Sequence, residues 1–380
     1  MVAKITKKHA AVAGVAVLAF APVFVLSFTN IAATEYRSAA ADAPERFIPL
    51  PALNRADYDA RLRALAHLKP LALATTSPQA LASADVAASA SASSSASSPK
   101  KAASSTPSLW PVHTVYPDAG AILPFKRIVA YYGNFYSKGM GVLGEYPSDT
   151  VLAMLASTTA KWAAADPTTP VLPAIQYIAV VAQGSAGKEG KYILRMPDDQ
   201  IDKALGMANQ MHGILLLDVQ VGLSTVQHEL PQLEKYLAMP NVELAIDPEF
   251  SMKYGNPPGT VIGTFDASDI NYAAQYLAGL VRANHLPPKV LVVHRFTPEM
   301  VTNYKKIQPL PEVQIVMDMD GWGSQAKKKG TYQRVITAEP VQFTGIKLFY
   351  KADLKAPSTG MLTTGEVLSL MPAPIYVQYQ

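Results

Sequence analysis

The chain has 380 residues, no cysteine, and 33 Lys and Arg against 29 Asp and Glu, a formal net charge of +4. The missing cysteine excludes disulfides, thiolate metal sites and lipid attachment through an N-terminal cysteine. So small a charge, with several lysines near the N-terminus, excludes the concentrated basic surface of a nucleic-acid binder.

Lys4, Lys7 and Lys8 precede an apolar run from Ala10 to Phe28, in which Ser27 is the only polar side chain. A charged start followed by a hydrophobic stretch is an export signal. The run is long for a signal-peptide core and just long enough to span a bilayer, while small residues at Ala32, Ala33 and Ala39–Ala41 permit cleavage. Residues 1–33 are therefore expected to be a signal peptide or an N-terminal membrane anchor. The rest would lie outside the cytoplasm, membrane-anchored, or secreted or periplasmic after cleavage. In residues 34–74, Tyr58, Leu62, Leu65, Ala66 and Leu68 recur near helical spacing and predict a short juxtamembrane helix. Residues 75–108 are dominated by Ala, Ser, Thr and Pro and read as a flexible linker.

Residues 109–380 repeat one pattern eight times: a short apolar run ending on polar residues, then a loop, then usually a helix. The runs are Lys126–Tyr132, Val171–Val180, Ile214–Gln220, Val242–Glu249, Val290–His294, Val313–Asp320, Gly345–Tyr350 and Pro374–Gln378. Continuous apolar strands alternating with helices indicate a parallel sheet buried on both faces. Eight of them predict an α/β fold, the (β/α)8 TIM barrel, with its active site at the carboxyl ends of the strands. Helices are expected over Ser148–Ala165, Asp198–Met211, Val226–Ala238, Ala267–Asn284 and Pro298–Ile307, with shorter ones at Ser324–Gln333 and Thr364–Leu370. Strand eight lies at the C-terminus with no eighth helix, and Leu109–Pro124 is expected to cover that gap.

The strand ends carry the candidate chemistry. In VELAIDPEF, Asp247 and Glu249 share a face at the barrel mouth. A carboxyl beside a second carboxyl in a partly dry site has a raised pKa and suits a general acid. The alternative makes Asp247 a cap on backbone amides and Glu249 a solvated side chain. Asp218 and Gln220 share a face in the third strand, as do Asp318 and Asp320 in the sixth, where Trp322 follows as a platform for a sugar ring. His294 ends the fifth strand, between the strands of Glu249 and Asp318. Tyr131, Tyr132, Gln176, Tyr350 and Gln378 add hydrogen-bonding and stacking groups suited to a polyhydroxylated ligand. Gly-x-Ser-x-Gly, Walker and His-Glu-x-x-His motifs are absent.

Val129-Ala130-Tyr131-Tyr132, Asp247-Pro248-Glu249 and Met317-Asp318-Met319-Asp320 resemble the first, fourth and sixth strand ends of chitinase-like glycoside hydrolases. Ala245 stands where that family's first aspartate would be, and its sixth-strand tyrosine is missing. The resemblance implies Glu249 as the acid and an oligo- or polysaccharide as partner. VLVVHRFTPEM, AIDPEF and GIKLFY resemble an exported bacterial family of barrel proteins, which implies export and this fold and brings no chemistry. The expected function is an exported carbohydrate-active barrel, a glycoside hydrolase needing no cofactor. The alternatives are a divalent-metal hydrolase with Asp218, Asp247, Glu249, His294 and Asp318 as ligands, and a non-catalytic barrel that binds wall polysaccharide.

Overall fold

The computed structural model describes residue 50, residues 52–69 and residues 108–380. The expected export segment and nearly all of the linker lie outside the described residues. No helix among the described residues is long and apolar enough to cross a membrane.

Eight parallel strands form the barrel: β1 Arg127–Gly133, β2 Val171–Ala182, β3 Ile214–Val219, β4 Val242–Ile246, β5 Lys289–Arg295, β6 Val313–Met319, β7 Phe343–Leu348 and β8 Tyr376–Tyr379. Each pairs with the next in sequence, and β1 pairs with both β2 and β8, so the sheet closes on itself. Alternation of side chains along each strand builds two cores. Inward-facing Ile128, Ala130, Ala174, Leu216, Ala245, Val292 and Val316 fill the barrel. Outward-facing Val129, Ile175, Leu217, Val293 and Ile315 pack under Leu155, Trp162, Ile201, Leu277 and Val335.

Helices form at Ser148–Ala165, Asp198–Gln210 and Ala267–Asn284. The last begins with a capping box in which Asp266 and Asp269 satisfy each other's backbone amides. Two expected helices differ. Val226–Ala238 is divided into Val226–Glu229, a 3-10 turn Leu230–Leu233 and Glu234–Leu237, because Pro231 has no amide to donate. Pro298–Ile307 is not a helix. Val301 and Thr302 pair as a strand with Phe265 and Asp266, the side chains of Thr302 and Asn303 donate to Asp266, and Asn303 turns left-handed at φ 56°. The carboxylate that caps one helix thus draws the later segment away from helical geometry.

The amino-terminal end of the barrel is sealed by α1, Arg55–Leu65, capped by Asn54, whose side chain accepts from the Asp57 amide. Tyr58 of α1 is 3 % exposed, its ring 5.6, 6.1 and 6.5 Å from those of Tyr116, Phe125 and Phe343. The Leu123 backbone exchanges two hydrogen bonds, 2.9 and 2.6 Å, with the Gln314 side chain, and the Trp110 indole donates to the Thr337 carbonyl. Leu109–Pro124 therefore runs across the amino-terminal ends of β6 and β7, not along β8. The outer side of β8 is met instead by Ser148–Ala165, where the Trp162 indole donates to the Tyr379 hydroxyl at 3.0 Å.

Tyr58 fills the barrel floor, so Tyr58→Ala should cost about 3–5 kcal/mol. A urea titration reads this as a lower unfolding midpoint. An unchanged midpoint would show that the barrel stands without α1.

Candidate active site

Toward the carboxyl ends of the strands the inner face turns polar in two layers. The lower one is fully enclosed. His294 lies between two carboxylates, Nδ1 3.0 Å from Asp318 Oδ2 and Nε2 2.9 Å from Asp218 Oδ2. Gln176 donates to Asp218 Oδ2 at 2.6 Å and accepts from the Tyr376 hydroxyl. The neighbouring strand β7 makes room for this layer: a Cβ on Gly345 would lie 2.7 Å from Asp318 Oδ1 and 2.7 Å from the Tyr376 ring. Burial opposes a charge on His294, but Asp218 and Asp318 outweigh it and hold the imidazole protonated well above its ordinary range. Both ring nitrogens then donate.

The upper layer opens into a cavity of about 670 Å³ lined by Tyr132, Gln220, Asp247, Glu249, Asp320, Trp322 and Lys347, with Phe250, Phe296 and Phe349 around them. Asp247 sits where β4 ends, and its Oδ1 accepts the Glu249 amide at 3.0 Å. That bond starts the 3-10 turn Pro248–Phe250, with Pro248 at its first position. The Glu249 carbonyl is held by the Gly263 amide at 2.7 Å. Capping and chemistry thus coexist at Asp-Pro-Glu: Asp247 fixes the turn that presents Glu249.

One oxygen each from Asp247, Glu249 and Asp320 lie within 4.8 Å of one another. Burial raises all three carboxyl pKa values. Crowding by neighbouring carboxylates adds to the rise, while the His294 cation pulls each back and Lys347 pulls back Glu249 and Asp320. Glu249 is pushed up to about 7. Asp320 keeps Oδ1 without a hydrogen-bond partner, and its Oδ2 is 3.8 Å from His294 Nδ1.

Behind this layer a buried ion pair ties two loops together. Lys328 Nζ lies 3.1 Å from Asp353 Oδ2 and donates to the Gly321 and Lys347 carbonyls at 2.9 and 2.6 Å. Asp353 accepts the amides of Gly323 and Phe349 at 2.9 and 3.0 Å. The loop carrying Trp322 is thereby fixed to the end of β7.

Of the residues expected from sequence, Tyr132, Gln220, Asp247, Glu249, Asp320 and Trp322 line the cavity. The others lie elsewhere. Asp218, Asp318 and Gln176 are 0 % exposed, His294 is equally enclosed, and the four bond one another one layer below, so none touches a ligand in the cavity. Gln378 is buried at that depth with neither amide atom hydrogen-bonded. Tyr131 follows the other face of β1: its hydroxyl pairs with Thr158 and Tyr350 at 2.8 Å each, outside the barrel. Tyr350 stacks on Tyr379 at 5.4 Å in that same outer cluster. Adjacent strand residues face opposite ways, so Tyr131 and Tyr132 cannot both reach the mouth.

Sequence reasoning passed over Lys347, Arg334, Lys327 and the three phenylalanines. Lys347 had a signal: in Phe343-Thr344-Gly345-Ile346-Lys347 it occupies an inward position of an apolar strand, as Asp218 does in β3. Arg334 lies beyond the helix Gln325–Tyr332, where periodicity marks no special position.

No protein-family model matches the chain, and no curated protein matches it. Solved structures similar to it include a cellulase, Cel5C_n, at 14 % identity and TM-score 0.34, covering 59 % of this chain. The chain spans 65 % of the length of that cellulase. The cellulose synthase subunit Z of Clostridioides difficile is 9 % identical, with TM-score 0.35, over 67 % of this chain and 91 % of its own. A mutant form of Thermotoga maritima Cel5A, in complex with cellobiose, is 6 % identical, with TM-score 0.34, over 67 % and 88 %. The chemistry of the site rests on its own side chains.

The raised pKa of His294 gives a pH test. An unfolded histidine releases its proton near pH ~6.5 while the folded one keeps it. The stabilisation is complete below that pH and is lost as pH rises toward the folded value. His294→Gln strands two buried carboxylates and should cost about 3–5 kcal/mol near neutrality. Between neutral and alkaline pH the wild type should lose stability with a slope that the variant lacks. Parallel stability curves would refute the protonated imidazole.

Proposed function

We propose that this protein is a glycoside hydrolase of the retaining type, acting on an oligo- or polysaccharide outside the cytoplasm. Export rests on the expected leader in residues 1–33. The observation that carries the activity is the close pair Glu249 and Asp320, two carboxyl groups on one cavity, of which Asp320 has the nearer approach to the His294 cation. Glu249 is pushed up to about 7, so a large share of it, about half, still holds a proton in neutral solution. Burial raises the Asp320 pKa, and the His294 cation 3.8 Å from its Oδ2, with Lys347, works against that rise and toward the ionised form the nucleophile needs. Glu249 would protonate the departing glycosidic oxygen while the Asp320 carboxylate, which lines the cavity, attacks the anomeric carbon. Glu249 would then take a proton from the water that releases the sugar.

Oxygens within 4.8 Å suit direct attack by a carboxylate, since retaining enzymes separate their carboxyl groups by about 5–5.5 Å and inverting ones by about 6.5–9.5 Å. Asp247 orients Glu249 by accepting its backbone amide, while burial and the neighbouring Asp320 raise the Glu249 pKa. Trp322, 51 % exposed on the loop after β6, offers a flat apolar face to a sugar ring.

Glu249→Gln should lower turnover by about 10²–10⁴-fold while leaving glycan affinity nearly intact. Activity should fall as pH rises through about 7, because the acid form of Glu249 is lost. The first product should keep its anomeric configuration by NMR. Inversion would remove Asp320 from the nucleophile's role, and hydrolysis by Glu249→Gln at the wild-type rate would sink the reading.

A divalent ion is the second reading, favoured by three carboxylate oxygens spaced for oxygen coordination of a hard cation at Asp247, Glu249 and Asp320. The wider ligand set expected from sequence does not apply. His294 spends both nitrogens on Asp218 and Asp318 and has no lone pair for a metal. Dialysis against EDTA should leave a retaining glycosidase fully active. Loss of activity restored by calcium or magnesium would favour the metal.

A further inference from the structure

The described residues include five buried lysines and arginines: Arg127, Lys289, Arg295, Lys328 and Lys347. Four have obvious partners. Arg127 pairs with Asp166, Arg295 with Glu339, Lys328 with Asp353, and Lys289 donates to the Met239 and Val242 carbonyls. Lys347 is the exception. It is 5 % exposed and lines the cavity, where its charge acts on Glu249 and Asp320, although no described residue forms an ion pair or hydrogen bond with its Nζ. The ammonium lies 3.8 Å from the centre of the Tyr132 ring and 5.2 Å from that of Phe349, and it faces the cavity. Enclosing an ammonium is costly unless something pairs with it, and ring faces return only about 0.5–2 kcal/mol.

Two further cations line the same cavity. Lys327 lies over the Trp322 ring at 4.8 Å, and Arg334 is exposed and makes no ion pair with any described residue. Lys355 approaches Trp322 from 5.5 Å. The nearby carboxylates account for one cation in the barrel as a charge offset. They do not account for Lys327 and Arg334, which belong to the segments after β6 and leave the cavity wall basic where Trp322 would hold a ring.

We infer that the glycan bound here is anionic: a chain whose sugars carry carboxylate or sulfate groups, received by Lys347, Lys327 and Arg334 beside the Trp322 platform. The inference rests on the carbohydrate reading and adds the charge of the substrate to it. Guanidinium and ammonium groups form charge-assisted hydrogen bonds with such groups, and a flat aromatic between them takes the apolar face of the ring. An incoming anion would give Lys347 a direct contact beside the carboxyl groups it already offsets.

Calorimetry at low ionic strength tests this with three probes of equal length: an oligouronate, a sulfated oligosaccharide and a neutral cello-oligosaccharide. One charged probe should bind at least roughly tenfold tighter than the neutral one, a difference of about 1.4 kcal/mol. Whichever it is identifies the anionic group. Lys347→Met should remove most of that preference, and so should Lys327→Ala with Arg334→Ala, two exposed positions whose loss does not threaten folding. Equal or tighter binding of the neutral probe overturns the inference and leaves the glycosidase reading standing. Charged probes that bind but are never cut support the inference and remove the glycosidase. Failure of all three probes to bind overturns both.

Discussion

The interior of the barrel is organised around one charged contact, the imidazole of His294 clamped between Asp218 and Asp318. Three ionisable groups at this depth are tolerable only because each ring nitrogen has its own carboxylate and the layer is boxed in by Gln176, Tyr376 and the missing side chain of Gly345. Any one group left alone would cost several kcal/mol. The arrangement therefore behaves as a unit, and it fixes the inward register of β2, β3, β5, β6 and β8 at one level.

This layer also sets the chemistry above it. Asp247, Glu249 and Asp320 crowd into a small volume in which three carboxylates could not all ionise unaided. The buried cation beneath them, with Lys347 to one side, offsets part of that repulsion unequally. It reaches Asp320 through a 3.8 Å approach and influences Glu249 from farther off. An acid and a conjugate base can then stand side by side at neutral pH. Asp218, Asp318 and His294 do not line the cavity and act on it through the charge of the imidazole they enclose.

Much of this was legible in the sequence, because a barrel strand is a simple object. Continuous apolar runs marked all eight strands, and the polar residue closing each run marked the mouth. What the sequence does not encode locally is depth. Asp218 and Gln220 have the same direction and differ by one pleat, yet the first is sealed and the second lines the cavity. Tyr131 and Tyr132 differ by one residue and face opposite sides. Chain entry and loop geometry fix these offsets, and neither is visible in hydrophobicity. The Pro298–Ile307 segment failed for another reason: its helical pattern was overruled by Asp266, a residue far away in sequence. Lys347 was missed because a lysine in an apolar run reads as an edge signal unless its inward parity is counted.

The floor of the barrel completes the division of labour. Tyr58, Leu123, Phe125 and Phe343 close the amino-terminal end with apolar contacts, and no ionisable group of the two polar layers is drawn into that seal. Stability is thus concentrated below His294 and ionisable chemistry at and above it. The loops at the opposite rim are joined by Lys328 and Asp353, whose four backbone hydrogen bonds hold Trp322 and Phe349 in place without using a cavity-lining charge. Lys347 offsets part of the carboxyl crowding in the cavity, while Lys327 and Arg334 line the same cavity and form no ion pair among the described residues. Their charges remain available to a ligand.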